Sequence, residues 1–460
     1  MTLDGYISSL AGKRIAVVGY GVSNAPLTEL LLSSGCDVTV RDKRTALEFA
    51  DTEILRERGA KLRLGPDYLE ELTEDVIFRT PGLHPFTQQL VAAVKNGSVL
   101  TSEMEAFFTV CPCHTIAVTG SDGKTTTSTL IATLLKESGH TVFLGGNIGA
   151  PLLDKVPKMK PEDFAGLERS SVQLHSMKCK PEVAVITNIS PNHLDVHPTL
   201  EDYIGAKKNI YRLQDSSCRL VLNADDAHTP EFAAEAKSDI RYFAYGHSVP
   251  TGCFCVDELI YSAHNYEVRE IDTTSGILIP GKHNVENFMA AYAATDGFIT
   301  DTAFRHIAKT FPGVAHRIEL IREWRGIKFY NDSIASSPTR TIAGLRCFTK
   351  VKPILIAGGH DKHVPFDELG TEIVARVKAL YLTGETSERI RDAVVNTPGY
   401  NRLTLPIYMI DDFKQAVLAA AGSAEEGDIV ILSPACSSFD KFKNFVERGN
   451  TFRSIVLGLE

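Results

Sequence analysis

The stretch TIAVTGSDGKTTTST, residues 115–129, determines how this chain is interpreted. An apolar run ends at Gly120, a second glycine follows at Gly123, and a segment with helical character runs from Lys124 to about Ser138. A strand, a glycine-containing turn and a helix in this order are the context that a phosphate-binding loop requires. The glycines let backbone N–H groups close around phosphate oxygens, and the helix N-terminus favours negative charge. The sequence therefore predicts a phosphate site at this turn.

Within this turn, Lys124 is expected to reach the β- and γ-phosphates of a nucleotide, and Thr125 or Thr126 to hold magnesium. The spacing from Gly120 to Lys124 is shorter than in the general GxxxxGK[ST] pattern, which separates the chain from the common GTPases and motor ATPases. The predicted ATP-binding residues of the turn are Gly120, Ser121, Asp122, Gly123, Lys124, Thr125 and Thr126.

Alternating strand and helix patterns extend in both directions from this turn. Upstream, the run from Arg14 to Gly19, a glycine turn, a helical pattern and the run from Cys36 to Asp42 form a βαβ signature. Downstream, apolar runs such as Val183 to Asn188 suit buried parallel strands, and a further α/β unit begins near Gly313. We expect three consecutive α/β domains: a Rossmann-like domain over 1–110, a central P-loop domain over 111–313 and a Rossmann-like domain over 314–460.

The composition excludes several classes of function. The net charge of −9 offers no excess of Lys and Arg for a nucleic-acid backbone. No apolar stretch approaches the roughly 18 residues of a membrane span, and the start of the chain lacks a signal-peptide pattern. The nine cysteines include the pairs Cys111/Cys113 and Cys253/Cys255, whose CxC spacing is not that of zinc sites. We expect reduced, mostly buried thiols and a cytoplasmic protein.

The turn at the start of the first domain has a pattern of its own. Gly19-Tyr20-Gly21-Val22-Ser23-Asn24 is GxGxx followed by Asn, and Asp42 stands where dinucleotide folds place a ribose-binding acid. An NAD-type domain or a simple tight turn would explain the same residues. A plain dehydrogenase, however, leaves the phosphate loop unexplained.

Further motifs make the whole chain resemble a known family, the Mur ligases, with the related folylpolyglutamate synthases as a second comparison. The shortened loop TGSDGKTTT is the first of these motifs. The others follow in one order along the chain: GNIGAP from Gly146, ERSSVQL from Glu168, TNISPNHLDVH from Thr187, AKKNIY from Ala206, GKHNVEN from Gly281, HRIE from His316, YNDSIASSP from Tyr330, GGHDK from Gly358 and SPACSSFDKFKNF from Ser433. Folylpolyglutamate synthases begin directly with the ATPase unit, so the residues ahead of the loop argue against them.

The resemblance implies that ATP and a carboxylate form an acyl phosphate, which an amine attacks to give an amide. It implies Lys124, Glu168, His193 and Lys207 as catalytic residues. Thr125 and Glu168 would hold one magnesium ion, and His193 a second one together with Lys207, which this family modifies to a carbamate. Without the surrounding motifs, His193 would be interpreted as a loop histidine and Lys207 as a solvated helix residue.

The resemblance also implies how ATP and the UDP-sugar are held. Asn284 and Asn287 would approach the adenine, unless they cap a helix, and Arg317 and Asp332 would contact the nucleotide from the third domain, so that catalysis requires domain closure. The residues expected around the uridine diphosphate and its sugar are Val22, Ser23, Asp42, Arg44, Gly82 and Asn147.

The resemblance implies that the third domain selects the incoming amino acid. YNDSIASSPT, GGHDK and SSFDKF are similar to the D-glutamate-adding branch of the family, and a DNPR-type motif of the diaminopimelate-adding branch is absent from the sequence. Ser336, Lys362, Ser438 and Phe445 match positions that hold the amino acid. Many members read NDSKAT, whereas this chain has Ile334 and Ser336. The substrates implied are UDP-N-acetylmuramoyl-L-alanine and D-glutamate, joined by a monomeric enzyme of peptidoglycan precursor synthesis.

One departure concerns activity. The family usually reads ELSSFQL, where this chain reads ERSSVQL, so Arg169 and Val172 replace a leucine and a phenylalanine. We expect that Arg169 can pair with Glu168 and compete with magnesium. Two alternatives therefore remain open: a catalytically impaired homologue that binds nucleotide or UDP-sugar, and a Mur ligase for another amino acid.

Overall fold

The computed structural model describes residues 1–147, 149–190, 197–361 and 364–460, which form three β-sheets flanked by helices. The predicted order of three α/β domains is confirmed. His193 and Lys362, two of the predicted site residues, lie outside the described residues. No helix in the described part of the chain combines the length and apolarity that crossing a membrane requires.

The first sheet is parallel, with the strand order β3-β2-β1-β4-β5 of a doubly wound nucleotide-binding half. Its strands are β1 (Arg14–Val18), β2 (Asp37–Asp42), β3 (Lys61–Leu64), β4 (Val76–Arg79) and β5 (Val99–Thr101). Its helices are α1 (Leu3–Ser9), α2 (Asn24–Ser33), α3 (Thr52–Glu57), α4 (Gln88–Lys95) and α5 (Glu103–Val110).

The second sheet has the order β14-β13-β12-β11-β10-β9-β6-β8-β7, parallel from β7 to β12 and ending in two antiparallel strands. Its strands are β6 (His114–Thr119), β7 (Val142–Gly146), β8 (Phe164–Glu168), β9 (Val183–Ile186), β10 (Arg219–Asn223), β11 (Asp239–Tyr245), β12 (Gly252–Val256), β13 (Leu259–His264) and β14 (Glu267–Thr273). Its helices are α6 (Lys124–Glu137), α7 (Ser171–Leu174), α8 (Leu200–Lys208), α9 (Thr229–Glu235), α10 (Lys282–Thr295) and α11 (Asp301–Thr310), with 3₁₀ turns at Leu153–Lys158 and Thr274–Gly276.

The third sheet has the order β15-β16-β20-β17-β18-β19 and is parallel except for its edge strand β15. Its strands are β15 (Glu319–Trp324), β16 (Ile327–Asn331), β17 (Ile354–Ala357), β18 (Ala379–Leu382), β19 (Ile407–Met409) and β20 (Ile429–Leu432). Its helices are α12 (Pro338–Leu345), α13 (Asp367–Arg376), α14 (Ser387–Val395), α15 (Phe413–Gly422) and α16 (Phe445–Leu457).

The chain divides into two compact units. The first comprises Met1–Thr274 and Glu286–Ile307, and the second Ser275–Val285 and Ala308–Glu460. The first two sheets lie in one unit because a continuous apolar core joins them, from Ile15 and Val17 of β1 to Ala117 of β6. The second unit contains apolar clusters. One of them includes Leu355 and Ile431, and another includes Ile354 and Ile356. The domain boundaries at 110 and 313 stay a prediction.

All nine cysteines are free thiols, and seven of them are buried. The close pair Cys111 and Cys113, with their Sγ atoms 3.4 Å apart, shares a hydrogen bond.

Candidate active site

The turn between β6 and α6 has the strand–turn–helix context that the sequence predicts. Gly120 and Gly123 have φ angles of 146° and 78°, a region that side chains rarely adopt. The turn is attached to the segment after β9, because the backbone N–H of Ser121 donates to the carbonyl oxygen of Asn188 (2.9 Å) and that of Asp122 to its Oδ1 (2.8 Å).

Neighbouring residues leave no room for side chains at the two glycines. A Cβ atom at Gly120 would lie 1.9 Å from Oγ1 of Thr187, and one at Gly123 would lie 2.4 Å from Oδ1 of Asn287. The Oδ1 atom of Asn287 also accepts a hydrogen bond from Oγ1 of Thr127 in α6 (3.1 Å). This predicted adenine-binding residue therefore contacts the phosphate loop, and its contact with adenine stays a prediction.

We expect Gly120→Ala to distort the turn and to weaken ATP binding by at least about tenfold, because the new Cβ collides with Thr187 as well as straining the backbone. Gly139→Ala is the control, since Gly139 also has a positive φ of 89° but nothing lies within 4 Å of its added Cβ. Calorimetric titration with MgATP measures both variants. Equal affinities in the two variants would show that the contact with Thr187 does not matter.

Two lysines meet at the carbonyl oxygen of Gly120. Nζ of Lys124 donates to it at 3.0 Å, and to the carbonyl oxygen of Ser121 at 2.8 Å. Nζ of Lys207, on α8, donates to the same Gly120 oxygen at 2.5 Å. The resemblance implies a catalytic role for both lysines, and the fold brings their Nζ atoms to one atom of the loop.

The environment of Lys207 disfavours its charge. The side chain is 1 % exposed, and Nζ lies 4.5 Å from the ring centre of Tyr203. Burial lowers the pKa of Lys207 well below its ordinary value, and the charge of Lys124 lowers it further, against a smaller opposing effect of Asp122. Lys207 is therefore not the solvated helix residue of the alternative interpretation.

Glu168 lies at the carboxyl end of β8, where the parallel register pairs it with Val118 of β6. This register places the carboxylate at the sheet edge from which the phosphate loop starts. Its Oε1 accepts a hydrogen bond from Nδ2 of Asn147 (2.9 Å), whereas Oε2 is buried and has no hydrogen-bond partner among the described residues. A buried carboxylate oxygen without a donor fits a cation ligand.

The expected ion pair between Arg169 and Glu168 is wrong. No nitrogen of the Arg169 guanidinium has a hydrogen-bond partner in the described structure, and the side chain is fully buried with its Cζ 5.8 Å from the ring centre of Phe108. Glu168 contacts Asn147 through Oε1, whereas Arg169, the first residue after β8, lines a cavity together with residues of the first domain.

In the first domain, Asp42, Arg44 and Tyr20 form a closed set of contacts below the GxGxx turn. Asp42 accepts hydrogen bonds from the backbone N–H of Tyr20 (2.8 Å) and from Nε of Arg44 (2.9 Å), and Nη2 of Arg44 donates to the carbonyl oxygen of Tyr20 (2.6 Å). Burial acts to raise the pKa of Asp42, but the hydrogen bonds from Arg44 and Tyr20 outweigh it, so the pKa is lowered.

The other predicted UDP-sugar residues lie at this turn or on neighbouring loops. Val22 is 79 % exposed, and Ser23 precedes α2 without capping it through its side chain. Gly82 has open space where a Cβ would stand. Asn147 belongs to the second domain. Because it contacts Glu168, this predicted UDP-sugar residue lies next to the predicted metal ligand.

In the second unit, Asp332 is a buried carboxylate. It accepts hydrogen bonds from Oγ of Ser433 (2.7 Å) and from the backbone N–H of Ile318 (3.3 Å). Burial raises the pKa of Asp332, whereas the hydrogen bonds from these donors and the charges of Arg317 and Arg340 lower it by a smaller amount. The resulting pKa is about 7. Arg317 thus lies near Asp332, and their contacts with nucleotide stay a prediction.

We expect Asp332→Asn to change how stability depends on pH. The native pKa of about 7 exceeds the ordinary value, so the protonated carboxyl contributes stability at low pH that is lost as the pH rises through 7. Between pH 5 and pH 8 the wild type should lose on the order of 2–3 kcal/mol relative to Asp332→Asn. Chemical denaturation of both proteins at the two pH values measures this difference; a difference that does not change with pH would contradict the assignment.

The structure describes four further predicted residues of the second unit: Asn284, Ser336, Ser438 and Phe445. Asn284 donates from Nδ2 to the carbonyl oxygen of Pro280 (2.6 Å). Ser438 is buried and its carbonyl oxygen accepts from the N–H of Phe442 (2.8 Å). Phe445 begins α16 and has its ring centre 6.1 Å from that of His316, while the backbone N–H of Ser336 donates to the carbonyl oxygen of Ile334 (2.8 Å).

A cluster next to the ERSSVQL segment was missed by the sequence reasoning. Asp202 accepts from Nε2 of His175 (2.9 Å) and Nδ1 of His197 (2.7 Å), and Nε2 of His197 contacts Oγ of Ser171 (2.9 Å). One potential ligand atom from each of His175, His197 and Asp202 lies within 4.8 Å of the others. The histidines that end HLDVH and directly follow SVQL are the signal that could have found it.

Comparisons with known proteins agree with this geometry. The family model described as the Mur ligase middle domain matches residues 118–295, and the one described as the Mur ligase, glutamate ligase domain matches residues 316–436. Proteins named UDP-N-acetylmuramoylalanine–D-glutamate ligase from Acetivibrio thermocellus and from Ruminiclostridium cellulolyticum are each 48 % identical over 100 % of this chain and 99 % of their own length.

Solved structures share the fold at low identity. UDP-N-acetylmuramate–alanine ligase from Thermotoga maritima has a TM-score of 0.57 at 18 % identity, covering 97 % of this chain and 99 % of its own. A pseudomurein peptide ligase type C from Methanothermus fervidus has a TM-score of 0.54 at 20 % identity, covering 98 % of this chain and 100 % of its own. The matched domains and the full-length relatives establish that the chain belongs to the Mur ligase family.

Proposed function

We propose that this protein is an ATP-dependent ligase that adds D-glutamate to UDP-N-acetylmuramoyl-L-alanine in the synthesis of peptidoglycan precursors. The observation that carries the proposal is the meeting of Lys124 and Lys207 at the Gly120 carbonyl, with Glu168 at the end of the adjacent strand. The full-length relatives named for this reaction support the choice of substrates.

The reaction joins two anions before it forms an amide. A carboxylate oxygen of the alanine attacks the γ-phosphorus and ADP leaves; the uncharged amine of D-glutamate then attacks the carbonyl carbon, phosphate leaves, and the amine loses a proton. The first step brings negative groups together, so the site must supply positive charge. Lys124 is suited to neutralise the β- and γ-phosphates, and the N–H groups at the start of α6 add to that charge.

Magnesium, when bound, would neutralise phosphate charge and polarise the reacting groups. We assign Thr125 and Glu168 to one ion, in keeping with the unpartnered Oε2 of Glu168. A second ion would be held by His193 and a carbamylated Lys207. The remaining assignments are those that the sequence predicts: the first domain for the UDP-sugar, and Ser336, Lys362, Ser438 and Phe445 for the amino acid.

We also propose that the enzyme acts as a monomer in the cytoplasm, since one chain carries all the predicted groups. The nine free thiols suit a reducing compartment.

A phosphate-release assay tests the reaction. UDP-N-acetylmuramoyl-L-alanine, D-glutamate and MgATP together should give sustained release, and leaving out the UDP-sugar or D-glutamate should abolish the coupled product. Replacing D-glutamate by L-alanine or L-lysine tests the alternative of a different amino acid. Binding of ATP and UDP-sugar without any product would instead support the impaired homologue.

A further inference from the structure

Two imidazoles and a carboxylate meet at the end of α7. His175 directly follows α7, His197 precedes α8, and Asp202 lies in the first turn of α8. Oδ1 of Asp202 lies 2.9 Å from Nε2 of His175, and Oδ2 lies 2.7 Å from Nδ1 of His197. One nitrogen of each histidine therefore faces the same carboxylate. None of the three residues is among those that the family resemblance implies for ATP, the UDP-sugar or the amino acid.

The spacing of these atoms is close to that of ligands around one metal ion. One potential ligand atom of each residue lies within 4.8 Å of the others. Donors that lie about 2.1 Å from a common ion are about 3.0 Å apart when they are neighbours in an octahedral site. The observed distances of 2.9 Å and 2.7 Å therefore need to widen only slightly for an ion to enter, and a small rotation of the Asp202 side chain provides this.

The surroundings prepare the ligand atoms for a cation. Burial acts to raise the pKa of Asp202, but the hydrogen bonds from His197 and His175 outweigh it, so the pKa is lowered and the carboxylate is ionised. Nε2 of His197 lies 2.9 Å from Oγ of Ser171 and can donate to it while Nδ1 binds an ion, which is how proteins orient metal-binding imidazoles. The ring of His175 stacks on that of His197 (5.3 Å between ring centres) and packs edge-on against Phe86 (4.7 Å). Both rings are thus held in place by neighbouring side chains.

The cluster is open to water on one side. The side chain of His197 is fully buried and that of His175 is 12 % exposed, whereas that of Asp202 is 31 % exposed. An ion can therefore enter past the carboxylate, and water can complete its coordination. Two histidines and one carboxylate with open positions are a pattern of transition metals, whereas Mg²⁺ prefers oxygen ligands. The cluster is suited to a different ion from the magnesium assigned to Thr125 and Glu168.

We propose that His175, His197 and Asp202 bind a divalent transition-metal ion of the zinc type, at a site separate from the magnesium ions of the reaction. Such an ion joins the end of α7 to the start of α8. The ring of Tyr203, in α8, contacts both His197 (5.3 Å between ring centres) and Nζ of Lys207 (4.5 Å from the ring centre). The ion therefore stabilises the helix that carries Lys207. The proposal does not depend on which amino acid the enzyme adds.

Calorimetric titration of the untagged full chain with zinc chloride tests the proposal, with a millimolar excess of magnesium chloride to compete for the magnesium ligands. The wild type should bind one zinc ion. Loss of a partner of a metal ligand costs about 10–100-fold in metal affinity, so Asp202→Asn and His175→Gln, which remove a ligand, should each cost at least about a hundredfold. Ser171→Ala, which removes such a partner, should cost about tenfold. His264→Gln, at the exposed end of β13 in the same unit, is the control and should match the wild type.

Cobalt(II) distinguishes the cluster from the nine free thiols as the source of ligands. The spectrum of the wild type with one equivalent of cobalt should show ligand-field bands without a thiolate-to-cobalt charge-transfer band, because the cluster offers only nitrogen and oxygen. A thiolate band would place the ion at cysteines and overturn the proposal. A wild type that binds no zinc would overturn it as well, and so would equal zinc affinities in the wild type, Asp202→Asn and His175→Gln.

Thermal unfolding shows whether the variants are folded and gives a second measurement of binding. Without zinc, each variant should unfold in one cooperative transition; if one of the two ligand variants does not, the other one carries the comparison. Zinc should raise the melting temperature of the wild type and of His264→Gln, but not that of Asp202→Asn or His175→Gln. An equal rise in all four proteins would reject the site. These measurements do not involve product formation, so the metal site and the proposed function can fail separately.

Discussion

Lys124→Ala is expected to reduce ATP-dependent phosphate release by about 10³-fold, with both substrates present. Nζ of Lys124 lies at the carbonyl oxygens of Gly120 and Ser121, at the start of the helix whose N-terminus would face the phosphates. Removal of one such positive group from a site where charge develops costs about 10²–10³-fold in rate. Here it would also weaken binding of the triphosphate, so we expect the upper end of that range.

Lys136→Ala is the matched control, because Lys136 is an exposed lysine in the last turn of the same helix. It removes the same charge from the chain and should keep full activity. Far-ultraviolet circular dichroism of both variants should match the wild type, since neither side chain contributes to the apolar core. Full activity in Lys124→Ala would remove the phosphate loop from the mechanism.

Lys207→Met is expected to reduce the rate by about 10²–10³-fold, because a buried group beside the phosphate loop would be lost from the site. If Lys207 carries a carbamate, its uncharged amine has formed a bond to the carbon of CO₂ and released a proton. Burial lowers the pKa of Lys207 well below its ordinary value, which favours the uncharged amine over the ammonium form more than in an exposed lysine. Wild-type activity should then fall in buffer depleted of CO₂ and return on addition of bicarbonate.

Lys208 provides a neighbouring control with the opposite environment. Its ammonium group pairs with Glu231 and Glu235; although burial acts to lower its pKa, these pairs raise it. The intact-protein mass of the wild type and of Lys208→Met should include the added carbon dioxide, and that of Lys207→Met should not. Activity that does not change on CO₂ depletion, together with an intact mass that shows no added carbon dioxide, would reject the carbamate. The loss of activity in Lys207→Met would then be explained by the charge of the lysine.

These expectations draw on sequence and structure to different extents. The phosphate loop was predictable because its strand, glycines, lysine and helix are consecutive, and the positive φ angles of Gly120 and Gly123 agree with the residue type. The strands predicted from apolar runs were found because the residues of each run are also consecutive in the sequence. The antiparallel strands β13 and β14 were not predicted, since their alternating, half-exposed residues form no continuous apolar run.

The side-chain environments could not be predicted. Arg169 was expected to pair with Glu168, which precedes it, but its guanidinium has no hydrogen-bond partner among the described residues and lines a cavity together with residues of the first domain. His175 and His197 come together on Asp202 although they lie at two separate motifs, so their contact with one carboxylate depends on the fold. Such contacts depend on the direction in which each side chain leaves the backbone and on which segments the fold brings near it.

By itself, the sequence determined the three α/β domains, the phosphate loop and the family, because strand–turn–helix patterns and ordered motifs are local properties of the chain. Only the tertiary structure decided that Lys207, 87 residues from Gly120, donates to the same carbonyl oxygen as Lys124, and that burial shifts the pKa values of Lys207 and Asp332. The physical reason is that exposure to water and the distance to other charges are set by packing between distant segments, whereas propensity and motif spacing act between neighbours.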